Sequence, residues 1–189
     1  MKEIICLHIG QAGVQIGNSC WELFCLEHGI QPDGKISNEK TPDDGIETLF
    51  SESSDKSVPR SIFIDLDPSC IDQVKAGPYK QLFNSSNFIS GKESAANIFS
   101  RGHYTAGKKL VGTMLETIAR EVDKCSSFQG FLIFNSLGGG TGSGLGSQLV
   151  EQMSAEYPKT PKFGFTVYPS NRFSTSTVEP YNAMMGNRE

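Results

Sequence analysis

The run Gly138-Gly139-Gly140-Thr141-Gly142-Ser143-Gly144 constrains this chain more than any other feature. It follows the apolar stretch Phe131-Leu132-Ile133-Phe134 and precedes an amphipathic stretch carrying Leu145, Leu149 and Met153. That order reads as strand, glycine loop, helix. Glycine lets a backbone turn tightly and approach a ligand with no Cβ in the way. The N–H groups of such a loop, backed by a helix N-terminus, form a concave site for an anion. Thr141 and Ser143 add hydroxyl donors. The bland alternative is a flexible glycine linker. Linkers usually lack a buried-type strand on one side and a patterned helix on the other.

The loop is not a Walker A loop, because Gly-Lys-Ser and Gly-Lys-Thr occur nowhere in the chain. Nor does it fit the dinucleotide pattern. Gly142-Ser143-Gly144 can start one, but Ser147 stands where the third glycine belongs, and this is not the first strand–helix unit. A phosphate loop with no lysine must neutralise charge through amides, hydroxyls and a bound cation.

A chain of 189 residues is long enough for one domain with a substantial core. A net charge of −4, with no basic run, argues against nucleic acid as a partner. No apolar stretch approaches membrane-spanning length, so no membrane partner is expected. Met1-Lys2-Glu3-Ile4-Ile5-Cys6 enters a strand directly, with no secretory signal. Cys6, Cys20, Cys25, Cys70 and Cys125 are odd in number and lack CxxC spacing. Free thiols in a reducing cytosol follow, rather than disulfides or zinc.

Along the chain, residues 4–9 read as a buried strand. Gly10-Gln11-Ala12-Gly13 opens a helix to about His28, with Ile16, Cys20 and Leu23 on one face and Val14, Trp21 and Cys25 widening it. Gly29 is a natural stop. Residues 31–60 are polar and proline-containing, and are expected to form a long mobile loop. Residues 61–66 form a second strand, followed by a short helix through Val74 and a short strand near Phe88-Ile89. Tyr104 to Cys125 reads as one long amphipathic helix. The strand 131–134 and the glycine loop lead into a helix to Tyr157. Phe163, Phe165 and Val167 alternate in a further strand, and another helix begins near Glu179.

Strands alternating with helices predict an α/β fold: a doubly wound, mostly parallel, Rossmann-like sheet with helices on both faces. Ligands then bind beyond the carboxyl ends of the strands, where the winding reverses. With the first strand central and the strand before Gly138 beside it, Gly10-Gln11-Ala12 and Gly138–Gly144 flank one crevice. Two glycine turns aimed at one polyphosphate are stronger evidence than either alone.

These residues resemble the N-terminal nucleotide-binding domain of the tubulin/FtsZ family, and within it the α-tubulins. The resemblance spans residues 1–189. It rests on residues 10–18, Cys20-Trp21-Glu22-Leu23, residues 25–34, Arg101-Gly102-His103-Tyr104-Thr105, the glycine loop and Val178-Glu179-Pro180-Tyr181-Asn182. The run 25–34 points to α rather than β, while Asn135-Ser136-Leu137 and Gly146 read less like α. The resemblance implies a GTP site with Mg2+. Gln11 and Ala12 would contact phosphates, and Gln15 would approach the base. Asp67 would lie near Mg2+, through water. Asn97 would reach the γ-phosphate. Ser136, Gly139, Gly140, Thr141 and Gly142 would cradle phosphates, and Glu179 would bond the ribose. Lys40 keeps the place of an acetylatable lysine in a shortened loop.

The resemblance also implies β-tubulin and the microtubule lattice as partners, the cytoplasmic cytoskeleton as location, and GTP as a largely structural cofactor. Ser94 stands where α-tubulins usually carry an acid. The family's remaining sheet strand, core helix, intermediate and C-terminal domains have no counterpart in residues 1–189. The family's aromatic and asparagine contacts to guanine belong to that part, so weak GTP affinity is expected of this segment. No residue here is assigned a catalytic role. Two other readings stand beside this one: a free-standing FtsZ-like GTPase, and a vestigial chain without polymer function. On residues alone, Asp67 before Pro68 also reads as a helix cap, and Asp65 with Asp67 is not expected to form an acid–base dyad. His8, His28 and His103 read as structural.

Overall fold

The computed structural model describes residues 2–37, 45–53, 56–170, 172–174 and 176–188. Strand β1 (Glu3–Ile9) runs into helix α1 (Gly10–His28), which Gly29 ends in the left-handed conformation at φ 68°. A short helical turn α2 (Ile46–Leu49) leads to strands β2 (Phe50–Ser53) and β3 (Lys56–Pro59). Then come β4 (Ser61–Asp65), α3 (Pro68–Ala76), β5 (Phe88–Ser90) and α4 (Val111–Asp123). Strand β6 (Phe128–Ser136), α5 (Gly146–Glu156), β7 (Lys162–Val167) and α6 (Glu179–Gly186) complete the order.

Five strands form one parallel sheet in the order β5-β4-β1-β6-β7. Leu7 pairs with Ile62 on one side and Ile133 on the other, so β1 is central. The chain winds outward from β1 in both directions. That places the reversal of winding between β1 and β6, at the glycine loop.

Alternation along each strand sorts the core into two layers. Ile5, Leu7, Ile9, Ile62 and Ile64 face α4 and α5, where Met114, Ile118, Leu149 and Met153 are fully buried. Each such aliphatic contributes about 1.5–3 kcal/mol of burial. Cys6, Phe63 and Phe134 face α1 and α3, against Val14, Trp21, Cys25 and Val74. His8 shares that second layer, fully enclosed between the rings of Phe63 and Phe134. All five cysteines are free thiols.

Four expectations change. Residues 31–60 are not one loop: β2 and β3 pair as an antiparallel hairpin, and Phe50 is buried against Trp21. Lys40 and its neighbours 38–44 lie outside the described residues. The inward face of α1 is Gly13, Val14, Gly17, Trp21 and Cys25, whereas Ile16 and Leu23 are exposed. Its seam with the sheet is cut by glycines, which apolar counting overlooks. A Cβ on Gly17 would fall 2.2 Å from Nδ1 of His8.

The expected helix from Tyr104 is broken. A widened π-type turn at Arg101–Thr105 and a tight turn at Gly107–Lys109 precede α4. Finally, Phe163, Phe165 and Val167 alternate as expected but are solvent-exposed on the edge strand β7, outside both buried clusters.

Candidate functional site

The carboxyl ends of β4, β1, β6 and β7 open into one cleft of about 570 Å3. That volume falls in the range of small-molecule sites. The first wall is the β1–α1 turn. Gly10 has φ +73°, a conformation that favours glycine, and it starts α1 with Gln11 and Ala12 lining the cleft. The second wall is the glycine loop. A Cβ on Gly142 would lie 2.3 Å from the Ser136 carbonyl oxygen, so the loop can fold back on its own strand only with glycine there. Thr166 Oγ1 donates to Asn135 Oδ1 at 2.8 Å, and Asn135 Nδ2 donates to the Gly142 carbonyl at 3.0 Å. The edge strand therefore braces the loop. Ser136 Oγ accepts from the Gly138 amide at 3.3 Å. His103 is buried at the far end, its Nδ1 3.2 Å from both the Gly144 carbonyl and Ser147 Oγ.

The third wall is the segment after β5. Ala96 and Asn97 both have positive φ, 49° and 57°. Ala96 there stores strain of about 1–2 kcal/mol, whereas asparagine tolerates the conformation. Asn182 of α6 holds the arrangement in place. Its Nδ2 donates to the carbonyls of Asn97 at 2.7 Å and Gly138 at 2.8 Å, and its Oδ1 accepts from the Phe99 amide at 3.0 Å. One buried side chain thus locks the third wall to the second.

Acids gather at the β4 end. Asp67 caps α3: its Oδ1 accepts from the Ser69 amide at 2.9 Å and from Ser69 Oγ at 2.6 Å. The Ser69 hydroxyl, then its amide, hold the Asp67 carboxyl below the usual range. Asp65 is buried, and burial pushes its carboxyl up despite the Asp67 and Leu66 amides. Its Oδ2 is buried with no hydrogen-bond partner. Cys70 lies beside both, and burial, with the Asp65 and Asp67 charges, raises its thiol.

Gln11, Ala12, Gln15, Asp67, Asn97, Ser136, Gly139, Gly140, Thr141, Gly142 and Glu179 all line this one cleft, with Ser94. Sequence reasoning missed Asn182, Gln73, Cys70 and the group Val167, Tyr168, Pro169, Ser170 and Phe173, and it set Asp65 aside. The Asp65-Leu66-Asp67 alternation at a strand end was the available signal for Asp65; nothing local marks Asn182 as a clamp.

The cleft's oxygen donors suit a hard divalent cation: an orphaned buried carboxylate oxygen beside a second carboxylate. Among the described residues no group of three or more His, Cys, Asp or Glu is placed to hold a metal alone.

The family model described as Tubulin/FtsZ family, GTPase domain, matches residues 3–189. This chain belongs to the Tubulin/FtsZ family. It is similar to the tubulin alpha-3 chain of Zea mays, with 58% identity over 189 aligned residues covering 98% of this chain. The chain spans 42% of that relative's length. The parallel five-stranded sheet with helices on both faces is that of the tubulin/FtsZ GTPase domain. Among the described residues no helix is long and apolar enough to cross a membrane.

Proposed function

We propose that this chain is the GTP-binding domain of an α-tubulin-like subunit, holding GTP with Mg2+ in the cleft between the β1–α1 turn and the glycine loop. The observation that carries the reading is the convergence of those two turns. A Cβ on Gly10 would stand 3.1 Å from the Gly142 nitrogen, so both sets of amides address one volume. Their N–H dipoles, with Thr141 and Ser136, offer donors to phosphate oxygens without a lysine. Gln11, Ala12, Gly139, Gly140 and Gly142 supply that cradle. Asn97 approaches the terminal phosphate from the third wall. Asp67 and Asp65 hold the cation, which neutralises phosphate charge when bound. Glu179 bonds the ribose and Gln15 approaches the base. Ser94 leaves the third wall one acid short.

β-Tubulin and the microtubule lattice are the proposed partners, and the cytoplasmic cytoskeleton the proposed location. GTP acts here as a structural cofactor, so the chain alone releases no phosphate. The test is titration of fluorescent GTP and ATP against residues 1–189, with and without Mg2+ and β-tubulin, alongside a phosphate-release assay over a concentration series. Mg2+-dependent GTP binding with no phosphate release is expected. Absence of GTP binding under every condition overturns the proposal. Phosphate release by the chain alone replaces it with a free-standing GTPase.

A further inference from the structure

The cleft is chemically graded across the sheet. Its β4 end carries Asp65, Asp67, Ser69 and Ser94, and its middle is lined by the two glycine turns. Its β7 end is of another kind, with Val167, Tyr168, Pro169 and Phe173 on the wall beside Glu179. The Leu137 amide donates to the Val167 carbonyl at 3.0 Å, so this end abuts the start of the glycine loop. β4 and β7 are three strand positions apart, about 14 Å at the usual spacing. If the carboxylates hold the cation, and the cation holds terminal phosphate oxygens, then the nucleoside lies at the β7 end.

Phe173 is the most exposed large apolar side chain among the described residues, at 83%. A turn presents it: the Phe173 amide donates to the Ser170 carbonyl at 3.1 Å, and the Arg172 amide to Ser170 Oγ at 3.3 Å. Tyr168, 58% exposed, is tethered to α6 by its hydroxyl, which donates to Asn187 Oδ1 at 2.8 Å. Phe173 is thus the more exposed of the two aromatics on this wall, and among the described residues no hydrogen bond or ring contact fixes its side chain to a neighbouring element. A nucleobase offers a π-face that can cover it.

We infer that Phe173 stacks on the base of the bound nucleotide, a base contact supplied by the β7–α6 segment of this chain. The inference rests on the nucleotide reading above. It assigns Phe173 to the base and not to the phosphates, which makes the two separable.

The test compares residues 1–189 with Phe173→Ala and Phe173→Trp, each checked for folding by circular dichroism, using GTP, ribose 5-triphosphate and tripolyphosphate with Mg2+ as probes. Phe173→Ala is expected to weaken GTP by about 5- to 100-fold. It should leave ribose 5-triphosphate and tripolyphosphate unchanged. Phe173→Trp should retain GTP binding, and its new indole emission should be quenched by GTP but not by tripolyphosphate. If Phe173→Ala leaves GTP unchanged, or weakens all three probes together, the stacking assignment is wrong while the nucleotide site stands. If the parent chain binds none of the three, the nucleotide reading itself fails and Phe173 loses its role with it.

Discussion

Gly10 and Gly142 meet backbone to backbone: a Cβ on Gly10 would stand 3.1 Å from the Gly142 nitrogen and 3.4 Å from Thr141 Cβ. Two loops separated by more than 120 residues are thereby held edge to edge. Gly10 also sits at φ +73°, where an L side chain costs about 1–2 kcal/mol. Gly10→Ala therefore carries two penalties, and relief of the steric one requires the turns to part. Thermal melts are expected to show a destabilisation of about 2 kcal/mol. Nucleotide affinity should fall by more than that loss explains, because the two sets of amides no longer share one focus. A variant with normal affinity would mean that the two turns act independently.

The clamp at Asn182 makes a second prediction. Asn182→Ala leaves the Asn97 and Gly138 carbonyls and the Phe99 amide without this partner, in a site where Asn182 itself is 3% exposed. Each orphaned buried group costs about 1–3 kcal/mol where water cannot replace the bond. A loss of roughly 3 kcal/mol or more in denaturant titrations is expected. Ala96→Gly should act in the opposite direction, gaining about 1 kcal/mol by releasing the strain at φ 49°. Hydrogen exchange at residues 95–99 checks the mechanism: protection should drop in the first variant and persist in the second.

The contrast between these two residues explains what a linear reading can reach. Parallel strands announce themselves through continuous apolar runs such as Ile4 to Ile9 and residues 61–66, because both faces are buried. The glycine loop is equally plain, since its backbone geometry permits few alternatives. Phe163, Phe165 and Val167 betray the strand but not the exposure of β7, which lies outside both buried clusters. The hairpin at β2 and β3 stays hidden because Ser, Glu and Lys dominate it and Phe50 is its one buried aromatic. Asn182 and Phe173 gain their importance from partners far along the chain. No local pattern carries that information.

Asp65 links stability to binding. Burial raises its carboxyl pKa above the ordinary 3.8, and its Oδ2 lacks a hydrogen-bond partner. The unfolded chain therefore ionises at lower pH than the folded one. Between the two pKa values the folded state holds more protons, so stability falls as pH rises through that window. Asp65→Asn removes the penalty. Without ligand, this variant is expected to melt higher than the parent at pH 7, and the gap should close below pH 4. With Mg2+ and GTP the order should reverse, because the carboxylate that costs stability is the one that serves the cation. If the ligand-free variant is no more stable at pH 7, Asp65 is not an uncompensated charge.

His8 sets the acid limit of the fold. Trp21 Nε1 donates to His8 Nε2 at 2.9 Å, so the neutral ring carries its proton on Nδ1, toward Gly17. The ring is stacked between Phe63 and Phe134, and burial lowers its pKa to about 3, against 6.5 when solvated. As pH falls below 6.5 the unfolded chain takes up a proton that the folded chain refuses, and stability drops until pH passes the folded value. From pH 7 to pH 5 this one residue should cost about 2 kcal/mol. His8→Gln loses the Trp21 bond geometry and is expected to be less stable at pH 7, so the slope is the decisive quantity. Denaturant midpoints measured from pH 7 to pH 5 should decline more steeply for the parent than for His8→Gln. Parallel slopes would assign the acid sensitivity to other groups.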